Sequence, residues 1–326
     1  MRAVCIREPG GVEVLELREV ADPEPGPGEI RVAVRATGLN RADLLQRRGR
    51  YPPPAGERED IPGLELSGVV ESLGPRTRRF RVGDRVMAVV ATGAYAEKVV
   101  LHEREAMRVP EGMDLVEAAA IPEAFVTAWD ALVRQASLRP GERVLIQAVA
   151  SGVGTAAIQI ARLAGAWVMG TSRTADKLAR CGELGLDKGL HLQEPRFAKE
   201  VRAATGGAGV DVILDLVGGA YVEEAPAAMA PRGRLVLVGL TAGDAARLPL
   251  GLLLSKRLTV RGTVLRARPI EEKMELAQAF ERELVPAFEQ GRLKPVLDEA
   301  IPVSEVRRAH ERLEANATFG KLVLVW

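Results

Sequence analysis

The sequence predicts an α/β protein of two domains, one mainly antiparallel β and the other a doubly wound parallel sheet. Three observations carry this. Residues 1–122 alternate short apolar runs with Gly/Pro turns, among them RAVCI, EIRVAVRATGL, LSGVVESLG, DRVMAVV and AEKVVLH, the pattern of antiparallel strands with barrel-like closure. From residue 124 onward, strand-like and helix-like segments alternate, as parallel sheets with crossover helices require. The length of 326 residues exceeds one ordinary domain, and the 47% hydrophobic content is enough to fill two cores.

The elements follow in order. A short helix over 41–48 interrupts the first β region. A helix over 124–135 leads into strands expected at 144–147, 167–170, 210–216, 234–239 and 258–263, with helices between most of them. An amphipathic helix over 271–290 precedes a β-like segment at 294–302, a helix over 303–316 and a last strand at 321–326. This tail is expected to return to the first domain. The domains are therefore 1–123 with 268–326, and 124–267.

The most informative stretch runs from Arg143 to Lys177. Residues 144–148 are apolar apart from Gln147, a short buried strand. The turn Ser151-Gly152-Val153-Gly154 then opens a helix whose apolar residues, Ala157, Ile158, Ala161, Leu163 and Ala164, recur near helical spacing. A turn without bulky side chains leaves backbone N–H groups of Ser151, Gly152 and Val153 at the positive end of that helix, which suits a pyrophosphate. The match is degenerate: counting back from Gly154, the first two glycine places hold Val149 and Ser151. Its context, strand-turn-helix-strand within about thirty residues, is that of a dinucleotide site. A helix-opening turn of no special purpose is the other reading. After the second strand the usual ribose-binding acid is missing. Ser172, Arg173 and Lys177 supply hydroxyl and positive charge instead, which favours NADPH and its 2′-phosphate over NADH; a solvated basic turn is the alternative.

Other classes are disfavoured. A formal net charge of +1 gives no electrostatic case for nucleic acid or a membrane surface, and no apolar run reaches spanning length. Cys5 and Cys181 stand alone with no CxxC, and His102, His191 and His310 have no partner at ligand spacing, so a disulfide scaffold and a metal centre are not expected. The N-terminus lacks the features of a signal peptide, and a cytoplasmic protein is expected.

The segments GLNRADLLQRRGRYPPP, PGLELSGVVESLG, VGDRVMAV, AAAIPEAFVTAWDAL, VLIQAVASGVGTAAIQIAR, VDVILDLVGG and ATFGKLVL together resemble the medium-chain dehydrogenase/reductase family. They are closest to its zinc-free quinone oxidoreductase branch, which includes zeta-crystallin. The resemblance implies a GroES-like catalytic domain, a Rossmann domain, an active-site cleft between them, and a homodimer or homotetramer joined through the cofactor domains. Zinc alcohol dehydrogenases carry a Cys in the segment matching GLNRADL and a His just before the Glu of PGLELSG. Asn40 and Leu64 hold those positions here; Leu cannot ligate a cation and one amide does not replace a thiolate. What remains is hydride transfer to an electrophilic small molecule, a quinone or an α,β-unsaturated carbonyl.

The resemblance places Asn40, Asp43 and Tyr51 beside the acceptor and Thr127 near the nicotinamide, with Tyr51 as candidate donor to the developing oxyanion. Each also has a structural reading. Asn40 is a good helix cap, Asp43 favours the helix N-terminus, Tyr51 precedes a proline run on which it would pack, and Thr127 fits an ordinary helix. Glu65, in an apolar strand, needs a partner such as a neighbouring Arg. Gly239, Leu240, Leu265 and Arg266 follow the last two sheet strands, where cofactor-facing loops belong, and Asn316 adjoins the tail that the family brings near the cofactor. The family's aromatic residue near adenine is replaced by Leu192, beside His191. Two rivals stand against an NADPH-dependent quinone or enone reductase: a zinc-free enoyl-thioester reductase, and a catalytically silent NADPH-binding regulatory or structural protein.

Overall fold

Apolar runs bounded by Gly and Pro become strands along the first third of the chain: β1 (Arg2–Ile6), β2 (Leu15–Glu19), β3 (Glu29–Gly38), β4 (Glu65–Leu73), β5 (Arg85–Val89), β6 (Lys98–His102) and β7 (Ala106–Arg108). The alternating segment follows with β8 (Arg143–Ile146), β9 (Trp167–Ser172), β10 (Lys188–His191), β11 (Val210–Asp215), β12 (Met229–Leu237) and β13 (Thr259–Gly262), and the tail adds β14 (Leu297–Pro302) and β15 (Lys321–Val325). The structure, a computed structural model, describes residues 1–326. The chain divides into one unit of Met1–Val126 with Leu265–Trp326 and a second of Thr127–Val264.

In the first unit, β3 organises the sheet. Its alternation buries Ile30, Val32, Val34 and Ala36, and it pairs antiparallel with β4, β6 and β15. The sheet order is β14-β15-β3-β4-β5-β7 with β6 branching from β3, an open path of pairings rather than the expected ring. Ile30, Val32, Leu66, Val70, Phe80 and Val86 form its core, each contributing roughly 1.5–3 kcal/mol by leaving water. Two consequences of register matter for function. Antiparallel pairing of Val323 with Gly38 brings Lys321 alongside the Leu39-Asn40 end of β3, and Glu65 opens β4 opposite Val89.

The second unit has the strand order β10-β9-β8-β11-β12-β13, with every pairing parallel. The chain winds outward from β8 through β9 to β10, then crosses back to β11. The order therefore reverses between β8 and β11, and loops at the carboxyl ends of these strands border the crevice where such sheets bind ligands. Strand β10 was not expected from the sequence: KGLH buries only Leu190, so it shows neither alternation nor an apolar run. The expected helix over 124–135 is an α-helix, Pro122–Trp129, continued by a π-helical turn, Asp130–Gln135. The wide turn contains the buried Asp130, whose carboxylate accepts bonds from Gln135 Nε2 and Thr263 Oγ1, each at 3.1 Å. Strand β12 starts earlier than expected because its register with β11 shifts after Val210, and Arg232 adopts φ 64°.

Candidate functional site

In the first unit, Lys321 and Glu65 form an ion pair at 2.6 Å with side chains 5% and 0% exposed. The lysine, not the expected arginine, is the partner that Glu65 requires. All three donors of the ammonium are used: Nζ also reaches Leu39 O at 2.6 Å and Asn40 Oδ1 at 2.7 Å. Asn40 Nδ2 donates to Glu65 Oε1 at 2.8 Å, and the backbone N–H of Glu123 donates to Glu65 Oε2 at 2.8 Å. With the charges paired and the remaining acceptor sites bonded, this pair meets the condition under which a buried charge is tolerated. Leu64, beside it, is 2% exposed and belongs to the core.

Asn40 precedes the helix Arg41–Arg47, and Asp43 returns a bond to it: Asp43 Oδ2 accepts from Asn40 N–H at 2.7 Å. The same oxygen accepts from Tyr95 Oη at 3.2 Å, while Oδ1 is buried without a partner. Tyr95 Oη lies 3.4 Å from His310 Nε2, and His310 Nδ1 lies 3.1 Å from Arg47 Nη1. Arg47 can only donate, so Nδ1 accepts and Nε2 carries the proton; the chain then runs Arg47, His310, Tyr95, Asp43 in donor-to-acceptor order. Burial, helped by Arg47, pushes His310 down to about 3, which keeps the imidazole neutral as that order requires. Burial raises Asp43 to about 6 against the hydrogen bond from Asn40 and the charge of Lys321.

Tyr51 is held by Arg266. The guanidinium donates to Tyr51 O at 2.9 Å, to Ala91 O at 2.7 Å and to Gln46 Oε1, and stands 4.8 Å from the centre of the Tyr51 ring. Arg266 is thus buried, with its nitrogens committed to this loop. Arg266, expected in a cofactor-facing loop near the nicotinamide and phosphates, anchors Tyr51 with its side chain. Burial raises the Tyr51 phenol above its ordinary value, against the Arg266 charge, so the hydroxyl remains a donor at neutral pH.

Lys321 and Glu123 are among the residues of this cluster that escaped the sequence reading. Glu123 follows Pro122 at the start of the Pro122–Trp129 helix. Its Oε2 is buried with no hydrogen-bond partner. Burial, then the neighbouring Glu65, raises its carboxyl to about 8, against Lys321 and Arg266. The available signal was a lone acid within the apolar run AAAIPEAFV; Lys321 gave none beyond being a lysine between apolar residues.

In the second unit, Ser151 caps the helix Gly152–Leu163, its Oγ accepting from Gly154 N–H at 3.1 Å. A Cβ on Gly154 would lie 2.4 Å from Val149 O and 2.7 Å from Ala148 O, so the turn packs too tightly for any side chain there. Gly152 and Val153 are partly exposed and present the first N–H groups of a 12-residue helix, a fit for a pyrophosphate. Thr127 Oγ1, Gln147 Nε2 and Asp215 Oδ2 are buried without hydrogen-bond partners in this unit, which is uncommon in a native fold. Gln147 and Asp215 stand at the carboxyl ends of β8 and β11, the two sides of the switch point. Ser172 ends β9 and its Oγ accepts from Thr174 N–H at 3.1 Å; Arg173 is exposed and Lys177 half-buried.

The remaining expected residues fall variously. Gly239 is half-buried, and a Cβ there would lie 2.4 Å from Leu216 O; Leu240 is 54% exposed. Leu265 is buried in the first unit. Asn316 has φ 54° just past the Val306–Glu314 helix, a left-handed cap position that Asn tolerates, and its Oδ1 accepts from Arg41 at 2.6 Å. Leu192 packs in the core with Phe197, while His191 Nε2 lies 3.0 Å from Arg173 O.

Residues 26–111 match the alcohol dehydrogenase GroES-like domain and residues 152–282 match the zinc-binding dehydrogenase family. A quinone oxidoreductase of Pseudomonas aeruginosa is 36% identical over 97% of this chain and 97% of its own. A mycobacterial protein solved in complex with NADPH superposes with a TM-score of 0.90 at 31% identity, covering 100% of both chains. The CurK enoyl reductase superposes with a TM-score of 0.88 at 27% identity, covering 99% of this chain and 98% of its own. The chain belongs to the medium-chain dehydrogenase/reductase family, in its quinone oxidoreductase branch. It is an oxidoreductase built from a GroES-like unit and a Rossmann unit. No helix is long and apolar enough to cross a membrane.

Proposed function

We propose that this protein is an NADPH-dependent reductase that passes hydride to a quinone or an α,β-unsaturated carbonyl without a metal. The observation that carries the reading is Tyr51. Its ring and backbone are clamped by Arg266, its phenol stays protonated, and it has the donor chemistry a developing oxyanion needs. Asn40 supports the metal-free reading: its amide is engaged by the Lys321 ammonium and by Glu65, so the local positive charge is the lysine's. When bound, the dihydronicotinamide supplies the hydride. The chain's own contribution is to orient the reactants and stabilise the charge on the acceptor.

Ser172, Arg173 and Lys177 support NADPH, as does likeness to a protein solved with NADPH. Ser151, Gly152 and Val153 would take the pyrophosphate, with Thr127, Gly239 and Leu240 toward the nicotinamide. Asn40 and Asp43 belong with Tyr51 on the acceptor side. Stopped-flow oxidation of NADPH by an ortho-quinone tests the central claim. Tyr51→Phe is expected to lower kcat about 10²-fold, the usual cost of one oxyanion donor, with little change in KM; an unchanged rate removes Tyr51 from the mechanism.

Likeness to CurK enoyl reductase favours one second reading, reduction of an enoyl thioester. A rate that rises with acyl-chain length and is negligible on free quinones would select it. NADPH binding with no turnover on either substrate class would select the silent regulatory or structural role.

We further propose a cytoplasmic homodimer joined through the Rossmann units. Strand β13 is a sheet edge with all its residues exposed. Leu250, Leu254, Val260 and Val264 of the same unit are 67%, 79%, 37% and 46% exposed. A bare edge with exposed apolar residues is what a second copy would cover. Light scattering should give a dimer mass for the parent and a monomer mass for Val260→Pro with Leu254→Lys; a monomeric parent refutes the assembly.

A further inference from the structure

Hydride addition leaves the acceptor one proton short, and the groups around Tyr51 differ sharply in their ability to provide it. Lys321 spends its three N–H donors on Glu65, Leu39 and Asn40. Both oxygens of Glu65 accept hydrogen bonds, and the Arg266 guanidinium is bonded to Ala91, Tyr51 and Gln46. Asp43 accepts from Asn40 and Tyr95. Asp43 Oδ1 and Glu123 Oε2 are both buried and unpartnered, but the other Asp43 oxygen already accepts two hydrogen bonds, which favour its ionised form. Glu123 has its place among the same groups, for Glu65 on β4, Lys321 on β15, Asp43 on the Arg41–Arg47 helix, and Arg266 and Tyr51 in their loops all act on its charge or feel it.

We infer that Glu123 is the catalytic acid that protonates the reduced acceptor. The inference rests on the reductase reading given above. The acceptor gains hydride, with its two electrons, from the dihydronicotinamide, which is oxidised; an electron pair ends on the acceptor oxygen as a phenolate or enolate. The Glu123 O–H bond breaks as the acceptor O–H bond forms. The resulting carboxylate is offset by Lys321 and Arg266 until water returns the proton. Acid strength agrees with this assignment. Tyr51 is raised above its ordinary value and holds its proton too tightly, Asp43 at about 6 is largely ionised at neutral pH, and Glu123 at about 8 is protonated there and close to the working range.

The test compares parent, Glu123→Gln and Glu123→Asp at saturating NADPH with an ortho-quinone. The parent rate should fall above about pH 8, and Glu123→Gln should lose about 10²-fold and show no alkaline fall. Glu123→Asp, which keeps an acid, should restore part of the rate and the fall. A readout independent of turnover is urea unfolding of the protein without cofactor. A carboxyl whose folded pKa is raised stabilises below its unfolded pKa, and that stability is lost as pH rises through the folded value. The parent should therefore lose stability from about pH 5 to 8 in excess of Glu123→Gln. A Glu123→Gln variant with the parent's rate and profile overturns the donor role alone. A parent that reduces no quinone or enone overturns the reductase reading and the donor role with it. Parallel stability profiles would show that Glu123 does not hold its proton, and also overturn the inference.

Discussion

Lys321→Met should destabilise the protein by about 3–5 kcal/mol, the cost of leaving one partner of a buried ion pair uncompensated. Glu65 is 0% exposed, so its carboxylate cannot recover hydration when the ammonium is removed. Asn40 Oδ1 and Leu39 O lose their donor at the same time. The measurement is the urea midpoint at constant m-value. Lys321→Met combined with Glu65→Gln should recover most of the loss, because the two charges then leave together and an amide can still bond Asn40. A Lys321→Met protein within about 1 kcal/mol of the parent would mean that the pair does not hold this end of β3 and β15. The same lock positions Asn40, so the double variant should fold well yet handle its acceptor less accurately than the parent.

The second large effect concerns the cofactor. Arg173→Ala with Lys177→Ala should weaken NADPH binding about 10²-fold and leave NADH binding nearly unchanged. Hydrogen bonds to charged groups contribute about 1.5–3 kcal/mol each. Arg173 is exposed, where solvent weakens such bonds. Taking the lower figure for both gives about 3 kcal/mol, or roughly a hundredfold in affinity. Fluorescence titration of both nucleotides against parent and variant reads the change directly. Equal affinities for NADPH and NADH in the parent would end the 2′-phosphate argument, whatever the variant does.

Much of the fold was legible because its local signals were strong. Predominantly apolar runs marked β8, β9 and β11 to within a few residues, since strands covered on both faces need few polar positions. The turn Ser151–Gly154 was legible because it combines a cap residue with a glycine whose Cβ would strike Val149 O. Strand β10 was missed because only one of its residues is buried, so its place at the sheet edge follows from parallel pairing with β9. The π-turn at Asp130 was missed because a helix of apolar periodicity conceals a one-residue change in hydrogen bonding.

The candidate site was legible in part, and the division is physical. Asn40, Asp43 and Tyr51 are close in sequence, and the family motif singled them out as candidates. Glu65 announced a need for a partner but not its identity, because Lys321 lies more than two hundred residues away and reaches it only through the β3–β15 register. Arg266 was placed in a cofactor-facing loop from its position after a strand; its contacts with Tyr51 come only from the tertiary structure. The sequence by itself determined the architecture and the glycine-punctuated, helix-opening turn with its basic flank, because these reside in spacing and residue chemistry; that Asn40 and Leu64 stand at metal-ligand positions came from the family resemblance. The tertiary structure decided which charges neutralise one another. Those pairings depend on burial and on contacts between distant segments, which set a lone glutamate after Pro122 beside Glu65 with a buried, unpartnered carboxyl oxygen.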